Sequence, residues 1–325
     1  MAKITLIEAV TMAMAYELEH DDSVVVFGED VGPNGGVFRA TAGLQERFGK
    51  ERVFDTPLAE SMIAGLAVGM SAQGMKPIGE IQFSGFAYPA FDQLISHAAR
   101  MRHRTRGRLH CPMVIRAPSG GGIHAPEHHS ESMEAIYAHT PGLRCVMPSS
   151  PARAYGLLLA SIRDPDPVVF LEPKRIYRLV KQEVPDNGEA LPLDTCFVLR
   201  EGEDVTMVTW GAMVHETLKA AEAMAKEGVS CEVIDLATIS PIDHETILES
   251  VEKTGRLVVV HEAPRNAGVG AEIAAEVAEK AIYSLLAPIQ RVTGYDTVMP
   301  LFRREMDYLP STTRVVAAVK KTLED

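Results

Sequence analysis

Cysteine is scarce in this chain of 325 residues: there are four, Cys111, Cys145, Cys196 and Cys231, and no two stand in Cys-x-x-Cys spacing. That excludes a disulfide framework and a cysteine zinc site, and points to a reducing, cytoplasmic setting. Long apolar runs are missing too. No stretch approaches the ~20 apolar residues of a membrane span, and Glu8 and Glu17 interrupt the N-terminal segment, so neither membrane insertion nor a signal peptide is expected. Basic charge is in deficit: 32 Lys and Arg stand against 44 Asp and Glu, a net charge of −12, which argues against a nucleic-acid surface. Neither a Walker pattern nor Gly-x-Gly-x-x-Gly occurs, and there is no low-complexity or short-period repeat.

What remains is an ordinary globular composition, 46% hydrophobic and 23% charged, long enough for two domains with developed cores. Thr5-Leu-Ile-Glu8 fits a capping box opening an amphipathic helix through Val10, Met14 and Leu18. Short β-branched runs follow at Val24–Phe27, Pro77–Phe83, Met113–Arg116, Leu143–Met147 and Val168–Leu171. They read as buried parallel strands, with helices over 61–74, 90–103 and 152–163 between them. The segment 181–194, rich in Pro, Gly and charge, reads as a linker. A second α/β unit follows, with strands at Val205–Thr209, Ser230–Leu236, Arg256–Val260 and Gln290–Val292 and a helix over Val214–Glu227. Charge is uneven: residues 1–189 hold 19 basic and 22 acidic groups, residues 190–325 hold 13 and 22. The second half is the place to meet a basic partner.

Glu60 heads a stretch, Ser61 to Gly74, with no charged side chain. A carboxylate in apolar surroundings holds its proton more tightly than one in water, which suits a group that gives and takes a proton; the plainer reading is an acid that caps a buried helix. Ligands of open parallel sheets bind beyond the carboxyl ends of the strands. Glu29 follows the run Val24–Phe27, and the loop from Ser119 to Ser130, with Gly120-Gly-Gly122 and His124, His128 and His129, follows the run Met113–Arg116. Two acids and a His-rich loop therefore meet at one sheet edge. Pro126 spoils a helical pairing of His124 with His128, so general acid–base work fits the loop better than metal chelation, and a solvated loop is the plain alternative. The three glycines form at most a weak phosphate cradle. Phe86 could stack on a flat ring. The basic run Arg100–Arg108 reads as a solvated or subunit-facing surface.

These residues resemble a known family. Gly-Glu-Asp-Val at 28–31, Asp-Thr-Pro-Leu-Ala-Glu at 55–60, Gly-Glu-Ile-Gln-Phe at 79–83, Pro-Ala-Phe-Asp-Gln at 89–93, His-Ser-Glu-Ser at 129–132, Val-Ile-Asp-Leu at 233–236 and His-Glu-Ala-Pro at 261–264 are similar, in collinear order, to the beta subunits of the thiamine diphosphate-dependent decarboxylating component of 2-oxo acid dehydrogenase complexes. The resemblance implies a transketolase-like pyrimidine-binding domain over 1–180, a linker over 181–194 and a transketolase C-terminal domain over 195–325, in a tetramer of two alpha and two beta chains. It makes Glu60 the acid that hydrogen-bonds a ring nitrogen of the aminopyrimidine, and Glu29 a member of an acidic proton path. Gln82, Phe86 and Leu58 become pyrimidine-lining residues, and His129 the group facing substrate and the lipoyl domain.

The family also binds potassium through main-chain carbonyls, here near Met113, Ser161, Ile162, Asp164 and Asp166; Pro165 and Asp166 depart from its commoner Asn-containing loop. No Gly-Asp-Gly occurs, so the Mg²⁺ that grips the diphosphate is expected from the alpha subunit. A peripheral subunit-binding domain of the acyltransferase core is the implied partner of the acidic second half. Phe86, rather than Tyr, leans the substrate toward pyruvate. A branched-chain 2-oxo acid or acetoin dehydrogenase subunit, a non-catalytic assembly subunit and a hydrolase with a metal on the His loop stand as alternatives.

Overall fold

The computed structural model describes residues 3–324. The expected capping box forms at the first helix, Leu6–His20. The Thr5 hydroxyl accepts from the Glu8 amide, and Glu8 Oε2 accepts from the Thr5 amide at 2.7 Å, so two amides without helical partners are satisfied reciprocally. This helix buries Ala9, Val10, Ala13, Met14 and Leu18 and packs along the helix Pro151–Arg163.

The first unit is built on a seven-stranded sheet, ordered Thr238–Ser240, Arg144–Val146, Val168–Pro173, Val114–Ser119, Lys76–Glu80, Val24–Gly28 and Val53–Asp55. Every pairing is parallel except that of Thr238–Ser240, a strand the second half of the chain lends to the first unit's sheet. The second unit has a five-stranded sheet, ordered Gln290–Val292, Leu257–Val260, Val205–Thr209, Cys231–Asp235 and Phe197–Arg200, antiparallel only at the last. One hydrophobic cluster takes in Phe27, Ile63 and Leu171 of the first unit with Trp210, Ile234 and Val259 of the second. The two units therefore share a core.

Several expectations need correction. The segment 90–103 is not one regular helix: a wide π turn over Asp92–His97 passes through Ala98–Arg100 into a short α turn, Met101–Arg104. The run ending at Arg116 continues to Ser119, and Arg116 lies fully buried within the strand. Its cost is met by two carboxylates on neighbouring strands, Glu80 at 2.8 Å and Glu172 at 2.7 Å, and Tyr177 donates to Glu172 at 2.6 Å. The linker holds a two-residue strand, Gln182–Glu183, paired with Lys3–Ile4. All four cysteines are buried and free.

Candidate active site

The strand Val24–Gly28 ends at the sheet's carboxyl edge, and Glu29 turns inward there, 5% exposed, with Oε1 lacking any hydrogen-bond partner. Burial pushes its carboxyl up, and the charges of Glu60 and Asp30 add to the shift. Glu60 opens the helix Glu60–Ala72 after Ala59, whose amide also serves Glu29. This corrects the expectation of a buried helix headed by a buried acid. Glu60 is half-buried, Leu58 is 80% exposed, and Ser61, Met62 and Gly69 face outward. Only Ile63, Ala64, Ala67 and Ser71 are buried in this helix, because no described element covers its other face; a Cβ built on Gly69 would meet no described atom within 4 Å. The buried acid of the pair is Glu29.

Gln82 follows the neighbouring strand Lys76–Glu80 and donates to Asp30 at 3.3 Å, so the ends of adjacent strands bring Glu29, Asp30 and Gln82 together. Beyond it Phe83 and Phe86 meet edge to face at 5.4 Å. His129 sits edge-on to both, at 4.5 Å from Phe83 and 5.0 Å from Phe86, half-buried, with Nδ1 buried and unpartnered. The three histidines of the loop diverge. His124 pairs with Glu305 at 2.9 Å, while His128 stacks on Tyr88 and pairs with Glu131 at 3.1 Å. Among the described residues no cluster of three His, Cys, Asp or Glu is arranged to hold a metal ion.

The glycine triplet does not present free amides. Gly121 donates to Glu262, and Gly122 donates to Glu305 at 2.7 Å, as does His124 at 2.9 Å, so the donors a phosphate would need are taken by carboxylates of the same chain. Gly122 has φ +86°, a left-handed conformation that favours glycine, and a Cβ there would fall 2.6 Å from Arg175 Cδ.

The residues singled out for potassium lie at the opposite, amino edge of the sheet. The Met113 carbonyl accepts from Val168 at 3.0 Å, Ser161 bonds back to the Leu157 carbonyl at 2.7 Å, and Ile162 is buried in the last turn of the same helix. Asp164 pairs with Arg144 at 3.1 Å and Asp166 with Arg102 at 2.7 Å. In the basic run Arg100 and His103 line an open groove of 1100 Å³ with Ile136 and Gly142.

Sequence reasoning missed Lys174, Glu262 and Glu305. Lys174 is 3% exposed; burial pushes its ammonium down to about 8, against the opposing pull of Glu262 and Glu305. The only signal was His-Glu-Ala-Pro at 261–264, read as a family marker.

An acid pair, a polar strand end, stacked aromatics and a histidine loop at the carboxyl edge of a parallel sheet, followed by a second α/β unit, define the class of transketolase-like thiamine diphosphate enzymes. Residues 2–180 match the family "Transketolase, pyrimidine binding domain" and residues 194–315 match "Transketolase, C-terminal domain". The solved structure of a "Split gene transketolase, inactive beta4 tetramer" superposes with a TM-score of 0.82 over 99% of both chains, at 24% identity, and shows the same fold. The chain is 54% identical to "Pyruvate dehydrogenase E1 component subunit beta" of Acholeplasma laidlawii, over 99% of this chain and 98% of that one. It is 52% identical to the protein of the same name from Bacillus subtilis (strain 168), over the full length of both. The chain belongs to the family of pyruvate dehydrogenase E1 component beta subunits. The resemblance read from its motifs is borne out, and so is the α/β fold with a second transketolase-type unit.

Proposed function

We propose that this chain supplies the pyrimidine half of a thiamine diphosphate site and that, with an alpha subunit in an α2β2 tetramer, it carries out oxidative decarboxylation of pyruvate and acyl transfer to lipoyl domains. The observation that carries this reading is the pairing of a buried Glu29 carboxyl, whose Oε1 has no hydrogen-bond partner, with a Glu60 that opens onto an uncovered helix face. An aminopyrimidine fits those residues: Glu60 for a ring nitrogen, Gln82 as a polar neighbour, and Phe86 and Leu58 as its apolar walls. When bound, the cofactor supplies the nucleophilic carbon and the electron sink that loss of CO2 requires. Glu60 holds and releases the proton at the ring nitrogen, and Glu29 keeps a second proton within reach. Phe83 and Phe86 fix the His129 ring, whose open side faces substrate and the incoming lipoyl group.

The alpha subunit covers the exposed face at Leu58, Met62 and Gly69 and holds Mg²⁺ with the diphosphate. Potassium would sit on the carbonyls of the last turn of Pro151–Arg163, where helix carbonyls lack partners. The acidic second unit receives the peripheral subunit-binding domain of the acyltransferase core. No described helix is long and apolar enough to cross a membrane, which accords with work in the cytoplasm.

Relatives at 52–54% identity named for pyruvate favour that substrate over branched-chain 2-oxo acids or acetoin. The test is co-expression with the alpha chain and measurement of thiamine diphosphate-dependent CO2 release. Pyruvate should be turned over faster than branched 2-oxo acids; a tetramer that assembles yet releases no CO2 from any of them would refute the decarboxylase reading.

A further inference from the structure

We infer that Glu262 and Glu305 are positioning residues: two carboxylates of the second unit that grip the main chain of the loop carrying His129 and so set that histidine for acyl transfer. The inference rests on the role proposed above for His129. Glu305, 1% exposed, accepts from the Gly122 amide through Oε1 at 2.7 Å and from the His124 amide through Oε2 at 2.9 Å. Glu262 accepts from the Gly121 amide and, at 3.4 Å, from the Ser132 hydroxyl. Lys174, buried in the first unit, donates to the Gly120 carbonyl, and its charge attracts both acids.

The base of the loop is closed within the first unit. Gly120 donates its amide to the Glu131 carbonyl at 2.9 Å, and Ser84 Oγ donates to the same oxygen at 2.9 Å. His129 thus lies between a base held by its own unit and a tip held by the other. The three glycines are what the grip requires: a Cβ on Gly120 would stand 2.7 Å from Glu262 Oε1, and one on Gly121 would stand 2.7 Å from the Met299 methyl group and 3.3 Å from Glu305 Oε1. Charge-assisted bonds to main-chain amides are directional and stronger than neutral ones. A loop held this way offers its histidine at a fixed place.

The test uses the α2β2 enzyme with two readouts. Glu305→Ala should lower reductive acylation of a lipoyl domain about 10- to 100-fold, the scale of a displaced catalytic group, and lower decarboxylation into an artificial electron acceptor less than about threefold. Hydrogen exchange followed by mass spectrometry on the peptide covering 119–131 should gain two fast amides, those of Gly122 and His124. Glu305→Gln keeps one acceptor oxygen, so it should free one of the two and recover part of the transfer rate. Unchanged exchange in the assembled Glu305→Ala enzyme, or equal loss in both assays, would overturn the inference. If that variant does not assemble, Glu305→Gln decides: one newly fast amide supports the grip, none refutes it. Exchange does not depend on turnover, so a wild-type enzyme inactive toward pyruvate would sink the proposed function while the amide count still judged the grip.

Discussion

Arg116→Met is the most revealing stability perturbation in this molecule. Arg116 lies at 0% exposure between Glu80 and Glu172, which are themselves buried. Methionine fills comparable space, so the change removes the charge and leaves little cavity. What remains is a pair of buried carboxylates with no cation between them, the situation for which breaking a buried ion pair costs about 3–5 kcal/mol. With a urea slope near the upper end of the ~1–3 kcal/mol/M range, as a chain this long warrants, the midpoint should fall by about 1–1.7 M.

The pH dependence carries the sign. Burial pushes the Glu172 carboxyl up, and the Arg116 charge opposes that shift. Removing Arg116 raises it further, so over the window between the unfolded and folded values the native variant binds protons that the unfolded chain does not. Stability in that window falls as pH rises. The deficit of Arg116→Met should therefore be larger at pH 8 than at pH 5.5, measured by urea unfolding at fixed protein concentration. Arg116→Met/Glu80→Leu/Glu172→Gln should recover most of the loss, because no charge is then left buried without a partner. A deficit under about 1 kcal/mol at pH 8, or one that grows on acidification, would refute the claim that the guanidinium is held for its charge.

Glu60→Gln should leave the tetramer assembled and lower turnover about 10²- to 10⁴-fold at saturating cofactor, since an amide cannot exchange the proton; near-wild-type turnover would remove Glu60 from that role. His129→Ala should impair acyl transfer to lipoyl domains more than decarboxylation into an artificial acceptor, and equal loss in both would cancel its transfer-specific part. Burial pushes the Glu134 carboxyl up to about 7, with Trp210 Nε1 donating to it at 3.2 Å. A raised acid weakens the fold as pH climbs past its unfolded value toward the folded one, so Glu134→Gln should improve thermal stability more at pH 8 than at pH 5.5, and a pH-independent effect would contradict this. Docking of the isolated peripheral subunit-binding domain should slow as salt rises, because the 22 acidic against 13 basic residues of 190–325 attract a basic partner over a Debye length of ~8 Å at physiological ionic strength. An association rate indifferent to salt would leave that charge as a solubility device.

The parts of this fold legible in the sequence are those whose cause is local. Thr5 and Glu8 satisfy each other's amides within one turn, and the runs at Val24, Val168 and Val205 mark strands because their β-branched residues are buried on both faces. Val53–Asp55 and Thr238–Ser240 are strands only because a neighbour pairs with them, the latter in the other unit's sheet, and nothing within three residues announces that. Arg116 misled for the same reason. A lone Arg closing an apolar run looks like a strand end until Glu80 and Glu172 arrive from adjacent strands.

The site divides along the same line. Glu29 and the loop bearing His129 follow strands the sequence marks, so topology puts both at one sheet edge, whereas the roles given to Gln82, Phe86 and His129 came from the family resemblance. The groups that orient them were not readable, since Glu305 reaches Gly122 across 183 positions of sequence and carries no motif of its own. Glu60 was misjudged in burial through one assumption, that an uncharged helix must be covered by its own chain. Its other face, with Leu58, Met62 and Gly69, is instead left uncovered by the described residues, which is the face the proposed function gives to the alpha subunit. An apolar stretch in an obligate partner specifies where the core continues, and the sequence of one chain cannot say on which side of the interface that core is completed.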